Sequence, residues 1–103
     1  MNTNEAILNK LIELGYLLQC EAKYYFKHSG GERIHKGHFN PLEYDSDYLV
    51  LQRALFVECA THDYVITISA NFMIIDHLCG DEIYQGDTSR ESFVAAFEKV
   101  VGI

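Results

Sequence analysis

The spacing of apolar residues changes several times along this chain, and those changes decide its fold class. Ile7, Leu8, Leu11, Ile12, Leu14 and Leu18 recur at helical spacing, with Asn4, Asn9, Lys10 and Glu13 on the other face. Asn2 followed by Glu5 has the capping-box form of a helix start, and Gly15 weakens the second half of this helix. From Cys20 the period falls to two. Cys20, Ala22, Tyr24 and Phe26 alternate with Glu21, Lys23, Tyr25 and Lys27, which predicts one half-buried strand over 20–27. The polar stretch 28–38, with paired glycines and His28, Arg33, His35, Lys36 and His38, reads as an exposed loop, or a wide hairpin returning through Arg33–His35.

Beyond it, Pro41 stops any preceding element, and Asp45 or Ser46 can cap a helix through Tyr48–Phe56. In that helix Leu49, Leu51, Leu55 and Phe56, with Tyr48 and Ala54, are expected to face a sheet, and Gln52 and Arg53 to face water. Tyr64–Ser69 and Phe72–Leu78, joined at Ala70-Asn71, predict an antiparallel hairpin, with Glu82-Ile83-Tyr84 as a short edge strand. Thr88 with Glu91 repeats the capping-box spacing ahead of Phe93, Val94, Phe97, Val100 and Val101, and Gly102 ends that stripe. The order α-β-loop-α-β-β-β-α predicts an α+β layered sandwich: three helices packed on a small antiparallel sheet of about three to five strands. With 103 residues, 49% of them hydrophobic and only one Pro, the chain reads as a single domain spanning 1–103. That length excludes multi-domain enzymes and large cofactor folds.

Charge narrows the partner classes. Eight Lys and Arg against fifteen Asp and Glu give −7 and a pI near 5.0, so a nucleic-acid backbone would be repelled. Residues 1–36 hold five cations and four anions, a net of +1; residues 37–103 hold three cations and eleven anions, a net of −8. An acidic surface of this kind favours a basic partner. Cys20, Cys59 and Cys79 are odd in number and widely spaced, which predicts free thiols in a reducing cytoplasm. No apolar run is long enough for a membrane span, and no signal-peptide pattern is visible.

Chemistry-bearing patterns are sparse. His35 and His38 are three apart, but Arg33 and Lys36 beside them disfavour a cation, so no metal or other cofactor is expected. Asp76, His77 and Cys79 contain the residue types of a thiol triad. On a strand, however, Asp76 and His77 point to opposite faces. Gly-rich phosphate loops, nucleophile elbows and HExxH motifs are absent from the sequence, which points away from an enzyme.

One segment carries a family likeness. Phe39-Asn40-Pro41-Leu42, followed by Asp45, Asp47 and an apolar helix through Leu51, resembles the phage ABA-sandwich domain family. Thr88–Glu91 with Val94, Ala95, Ala96 and Phe97 resembles that family's closing helix. Here there is no Trp near the Asn-Pro, and the alternating run 20–27 with its His-rich loop looks like an insertion. The resemblance implies a small phage or prophage accessory protein in the host cytoplasm and carries over no catalytic residue.

The functional expectation is non-catalytic binding of a host protein with a basic surface, such as a defence nuclease. Glu43, Asp45, Asp47, Asp81, Glu82 and Asp87 are the expected recognition residues, since all can sit exposed at helix starts or turns. One alternative is self-association through an aromatic face drawn from Tyr24, Tyr25, Phe26, Tyr44, Tyr48 and Tyr84. Another, resting only on the His residues and on the acidic clusters Glu43, Asp45, Asp47 and Asp76, Asp81, Glu82, is a small metal-binding or hydrolytic protein.

Overall fold

A computed structural model of the chain describes residues 3–28 and 30–103. The first helix, α1 (Thr3–Glu13), buries Ile7, Leu8 and Leu11. The expected cap at Asn2 lies outside the described residues. Gly15 follows at φ +91, and the amide of Tyr16 donates to the Leu11 carbonyl at 2.9 Å, closing the helix end.

The alternating run at 20–27 is not one strand. It divides into β1 (Leu18–Glu21) and β2 (Tyr24–Phe26), paired antiparallel through a turn at Ala22-Lys23. A register shift between Gln19 and Glu21 accommodates this tight reversal. β3 (Ile34–His35) returns against β2, so the wide-hairpin reading of 28–38 is the correct one. Lys36–His38 then form a single 3-10 turn.

α2 (Asp45–Thr61) is longer than its periodic core suggested, and neither Asp45 nor Ser46 caps it; Tyr44 holds that position without a side-chain hydrogen bond. Leu51, Ala54 and Leu55 are buried as expected, and Cys59, beyond the expected helix, is buried too, but Leu49 and Phe56 are exposed at 58% and 38%. α2 is apolar on almost every side, so its pattern could not say which side meets the core.

Asp63, at φ +60, reverses the chain into β4 (Tyr64–Ile68), which pairs with β5 (Met73–His77); β5 pairs in turn with β6 (Glu82–Gly86). Among the described residues six strands thus form two three-stranded antiparallel sheets, β1-β2-β3 and β4-β5-β6, where a single sheet was expected. The α+β class holds. Ser89, not Thr88, caps α3 (Arg90–Val101) by accepting from the Ser92 amide, and Gly102 ends the helix in the left-handed region.

α2 joins the parts. α3 packs beside it, with β4 against α2 and β6 against α3. Phe93 of α3 meets Tyr48 and Phe56 of α2 edge-on, with ring centroids 5.7 and 6.4 Å apart. On its other flank, Tyr16 donates to Glu58 Oε2 at 2.7 Å, and Lys27 at the end of β2 reaches Asp47 at 3.1 Å. Burial, and then the bond to Glu58, push the Tyr16 hydroxyl up to about 12.

Gly86 marks the closest approach of β6 to α3. A Cβ there would stand 2.5 Å from Ser92 Oγ and 2.6 Å from the Tyr84 hydroxyl, two atoms already bonded to each other at 2.8 Å. Neither can withdraw without breaking that bond. Gly86→Ala should therefore destabilise the fold by about 1–3 kcal/mol. In thermal denaturation, Tm should fall by several degrees per kcal/mol; an unchanged Tm would contradict this packing.

Candidate functional site

The six expected recognition residues do not gather on one surface. Asp47 is buried, at 3% exposure, between Lys27 and the Asn40 amide, which donates to its Oδ2 at 3.0 Å. It is a structural carboxylate and leaves the recognition set. Asp45 is exposed but ion-paired with Arg90, whose guanidinium also lies 4.7 Å over the Tyr48 ring. That arrangement clasps α3 to α2. Of the first acidic segment, only Glu43 is exposed without an ion pair among the described residues.

Asp87 sits at the far end of β6 from Glu82, roughly 15 Å away at ~3.3 Å per strand residue. Its Oδ1 accepts from the Ser89 hydroxyl at 2.5 Å and from the Ser89 amide at 2.9 Å. These bonds stabilise the ionised form and lower its pKa below the ordinary carboxylate value. Asp87 therefore serves the cap of α3.

Asp81 and Glu82 are different: the structure keeps them beside Asp76, with which the sequence already groups them at a strand end, and adds Asp63, which sequence reasoning did not select. Asp76 lies directly opposite Glu82 across β5 and β6, and Val65 lies opposite Asp76 on β4. Asp63 comes to the same end of the sheet, because its carbonyl accepts from the Leu78 amide at 3.0 Å. None of Asp63, Asp76, Asp81 or Glu82 has an ion pair among the described residues. Residues 54–89 contain no Lys or Arg, so no cation is available nearby in the chain. Like charges directly opposite across strands are destabilising.

At the centre of this acidic end stands Leu78, 71% exposed, the most exposed large hydrophobic residue of the described chain. It rides on a tight reversal. The His77 amide donates to the Asp81 carbonyl and the Gly80 amide to the His77 carbonyl, both at 2.7 Å. The Cys79 amide donates to His77 Nδ1 at 3.1 Å, and Gly80 adopts φ +103. Beneath the turn, Tyr64 meets His77 and stacks on His62, with centroids 5.7 and 5.6 Å apart. The turn is thus preorganised: it holds an exposed aliphatic side chain at the same end of the sheet as Asp63, Asp76, Asp81 and Glu82. Strand alternation was the available signal, since Ile74, Asp76 and Leu78 share the face opposite Met73, Ile75 and His77.

The other chemistry-bearing groups stay apart. Among the described residues no three His, Cys, Asp or Glu side chains converge as a metal site. Cys59 is buried, and burial, followed by Glu58, pushes its thiol up to about 11, which makes it unreactive. His77 Nδ1 accepts the Cys79 amide, and the Tyr64 ring packs against the imidazole. The named aromatics are spread through the molecule. Tyr25 is buried, Tyr24 lies under Arg33, Tyr84 bonds Ser92, and only Tyr44 is largely exposed. Among the described residues no helix is long and apolar enough to cross a membrane.

No family model, curated protein or solved structure matches this chain.

Placing a cation at position 82 tests the electrostatics of the acidic end. Glu82→Lys replaces a like-charge pair with an attractive one opposite Asp76. Stability should rise by about 0.2–1 kcal/mol. Thermal melts at low ionic strength would register this as a higher Tm, and a lower Tm would contradict the pairing.

Proposed function

We propose that the protein is a non-catalytic binding module of phage accessory type, docking on a host protein through the acidic end of β4-β5-β6. Leu78 is the anchor and Asp63, Asp76, Asp81 and Glu82 form the rim. The observation that carries this reading is Leu78, raised on a hydrogen-bonded turn among carboxylates with no internal counter-charge. An exposed apolar anchor within a polar rim is the anatomy of an interface hot spot. A rigid turn binds without a large ordering penalty. The partner this chemistry fits has a small apolar pocket bordered by Lys or Arg. The resemblance of Phe39–Leu42 and the closing helix to phage ABA-sandwich proteins supports the accessory role.

A second reading, self-association, draws on α2 instead of the aromatics. Leu49, Phe56 and Val57 form an outward stripe with exposures of 58%, 38% and 44%, interrupted by Arg53. A second copy covering that stripe would give a mass that depends on concentration.

Affinity capture from bacterial extract separates the two. The bait proteins are the parent, Leu78→Ser/Asp81→Lys/Glu82→Lys, and Leu49→Glu. These are surface changes, expected to leave stability within about 1 kcal/mol. The triple variant should lose a protein that the parent and Leu49→Glu both retain, and retention on the parent should weaken as salt shortens the Debye length from ~10 Å at 0.1 M to ~3 Å at 1 M. Identical capture by all three baits would contradict recognition at the acidic end.

A further inference from the structure

The cations are as unevenly satisfied as the anions. Lys10, Lys27, Arg33 and Arg90 are ion-paired, with Glu13, Asp47, Glu21 and Asp45 respectively. Lys23, Lys36, Arg53 and Lys99 have no ion pair among the described residues. Two of these, Lys23 and Lys36, line one cleft of about 340 Å³ between the first turn of α1 and the sheet β1-β2-β3.

The backbone holds the two lysines together, because the Lys36 amide donates to the Lys23 carbonyl at 2.9 Å. Lys36 Nζ reaches Asn9 Oδ1 at 3.2 Å, a neutral partner that leaves its charge uncompensated. His35, also on the wall, accepts the Gly37 amide on Nδ1 at 2.9 Å. The neutral ring therefore carries its proton on Nε2 as a donor. Phe39 adds an apolar surface at 2% exposure, fixed edge-on against Tyr25 at 6.4 Å. Asn4 and Glu5 complete the wall from α1, and Glu5 is already engaged within the chain.

We propose that this cleft binds a small organic phosphate, its phosphoryl group between Lys23, Lys36 and His35 and its apolar portion toward Phe39. Two adjacent lysines, with Glu5 as the one carboxylate of the wall and already engaged within the chain, match a compact, multiply charged anion. The wall has no Arg to offer the bidentate fork that suits a carboxylate. A volume near 300 Å³ is the lower end of small-molecule sites, which limits the ligand to about one ring plus its phosphate. This site is separate from the acidic end and does not depend on it.

The test is NMR titration of the ¹⁵N-labelled full chain with phenyl phosphate, inorganic phosphate and benzoate. Phenyl phosphate should shift the amides of Lys23, Lys36 and Gly37 saturably, and more tightly than either of the other two. Lys23→Gln/Lys36→Gln should weaken it by about tenfold, the loss of two charge-assisted contacts, and Lys99→Gln should leave it unchanged. Lys23→Gln alone changes an exposed side chain and should weaken binding several-fold, so the test survives any misfolding of the double variant. No saturable shift below ~10 mM would overturn the proposal. So would equal weakening by Lys99→Gln, or inorganic phosphate or benzoate binding as tightly as phenyl phosphate.

Discussion

One buried carboxylate sets the arrangement of this molecule. Asp47 receives Lys27 at 3.1 Å on one oxygen and the Asn40 amide at 3.0 Å on the other. It thereby ties the end of β2, the Asn40-Pro41 turn and the first turn of α2 together. Lys27 also donates to Ser46 Oγ at 2.5 Å, so the same ammonium holds two successive residues of the helix start. Removing Lys27 would strand the buried Asp47 carboxylate in a low-dielectric setting, at a penalty of up to about 3–5 kcal/mol. The sequence likeness at Phe39–Leu42 falls on this joint. Phe39 and Pro41 are buried there, and Asn40 turns the chain by accepting the Leu42 amide on Oδ1.

That joint also explains the charge layout. Asp47 is consumed by the fold and Asp45 by the clasp with Arg90, so the acidic segment most evident in the sequence contributes little free charge. The densest group of acids without an ion pair among the described residues is the end of β4-β5-β6, where Asp76 opposes Glu82 across the ladder and Asp63 and Asp81 stand nearby. A sheet built only for stability would place a Lys in that pair. Retaining two opposed acids beside an exposed leucine is the kind of local conflict that marks a functional surface.

The sequence made most elements legible because period and punctuation agreed: Gly102 after the α3 stripe, the β-branched run at 64–68, the turn before Met73. Its failures have identifiable causes. The β1–β2 reversal at Ala22-Lys23 lacks Gly, Pro, Asn or Asp, so alternation ran through it unbroken. The outward faces of Leu49 and Phe56 were hidden because α2 is apolar nearly all round. Asp47 looked like a solvated helix-start acid because its partner lies twenty residues away in sequence. Asp76, Leu78, Asp81 and Glu82 were already close in sequence, whereas Asp63 joins them only through the pairing of β4 with β5.

Hydrogen exchange of the full chain, alone and with its captured partner, locates the binding surface. Binding should slow exchange at residues 62–65 and 76–83, the acidic end around Leu78, and leave α2 as in the free protein. Protection confined to the Leu49–Val57 stripe of α2, or to the cleft lined by Lys23 and Lys36, with the Leu78 turn exchanging unchanged, would contradict docking through the acidic end.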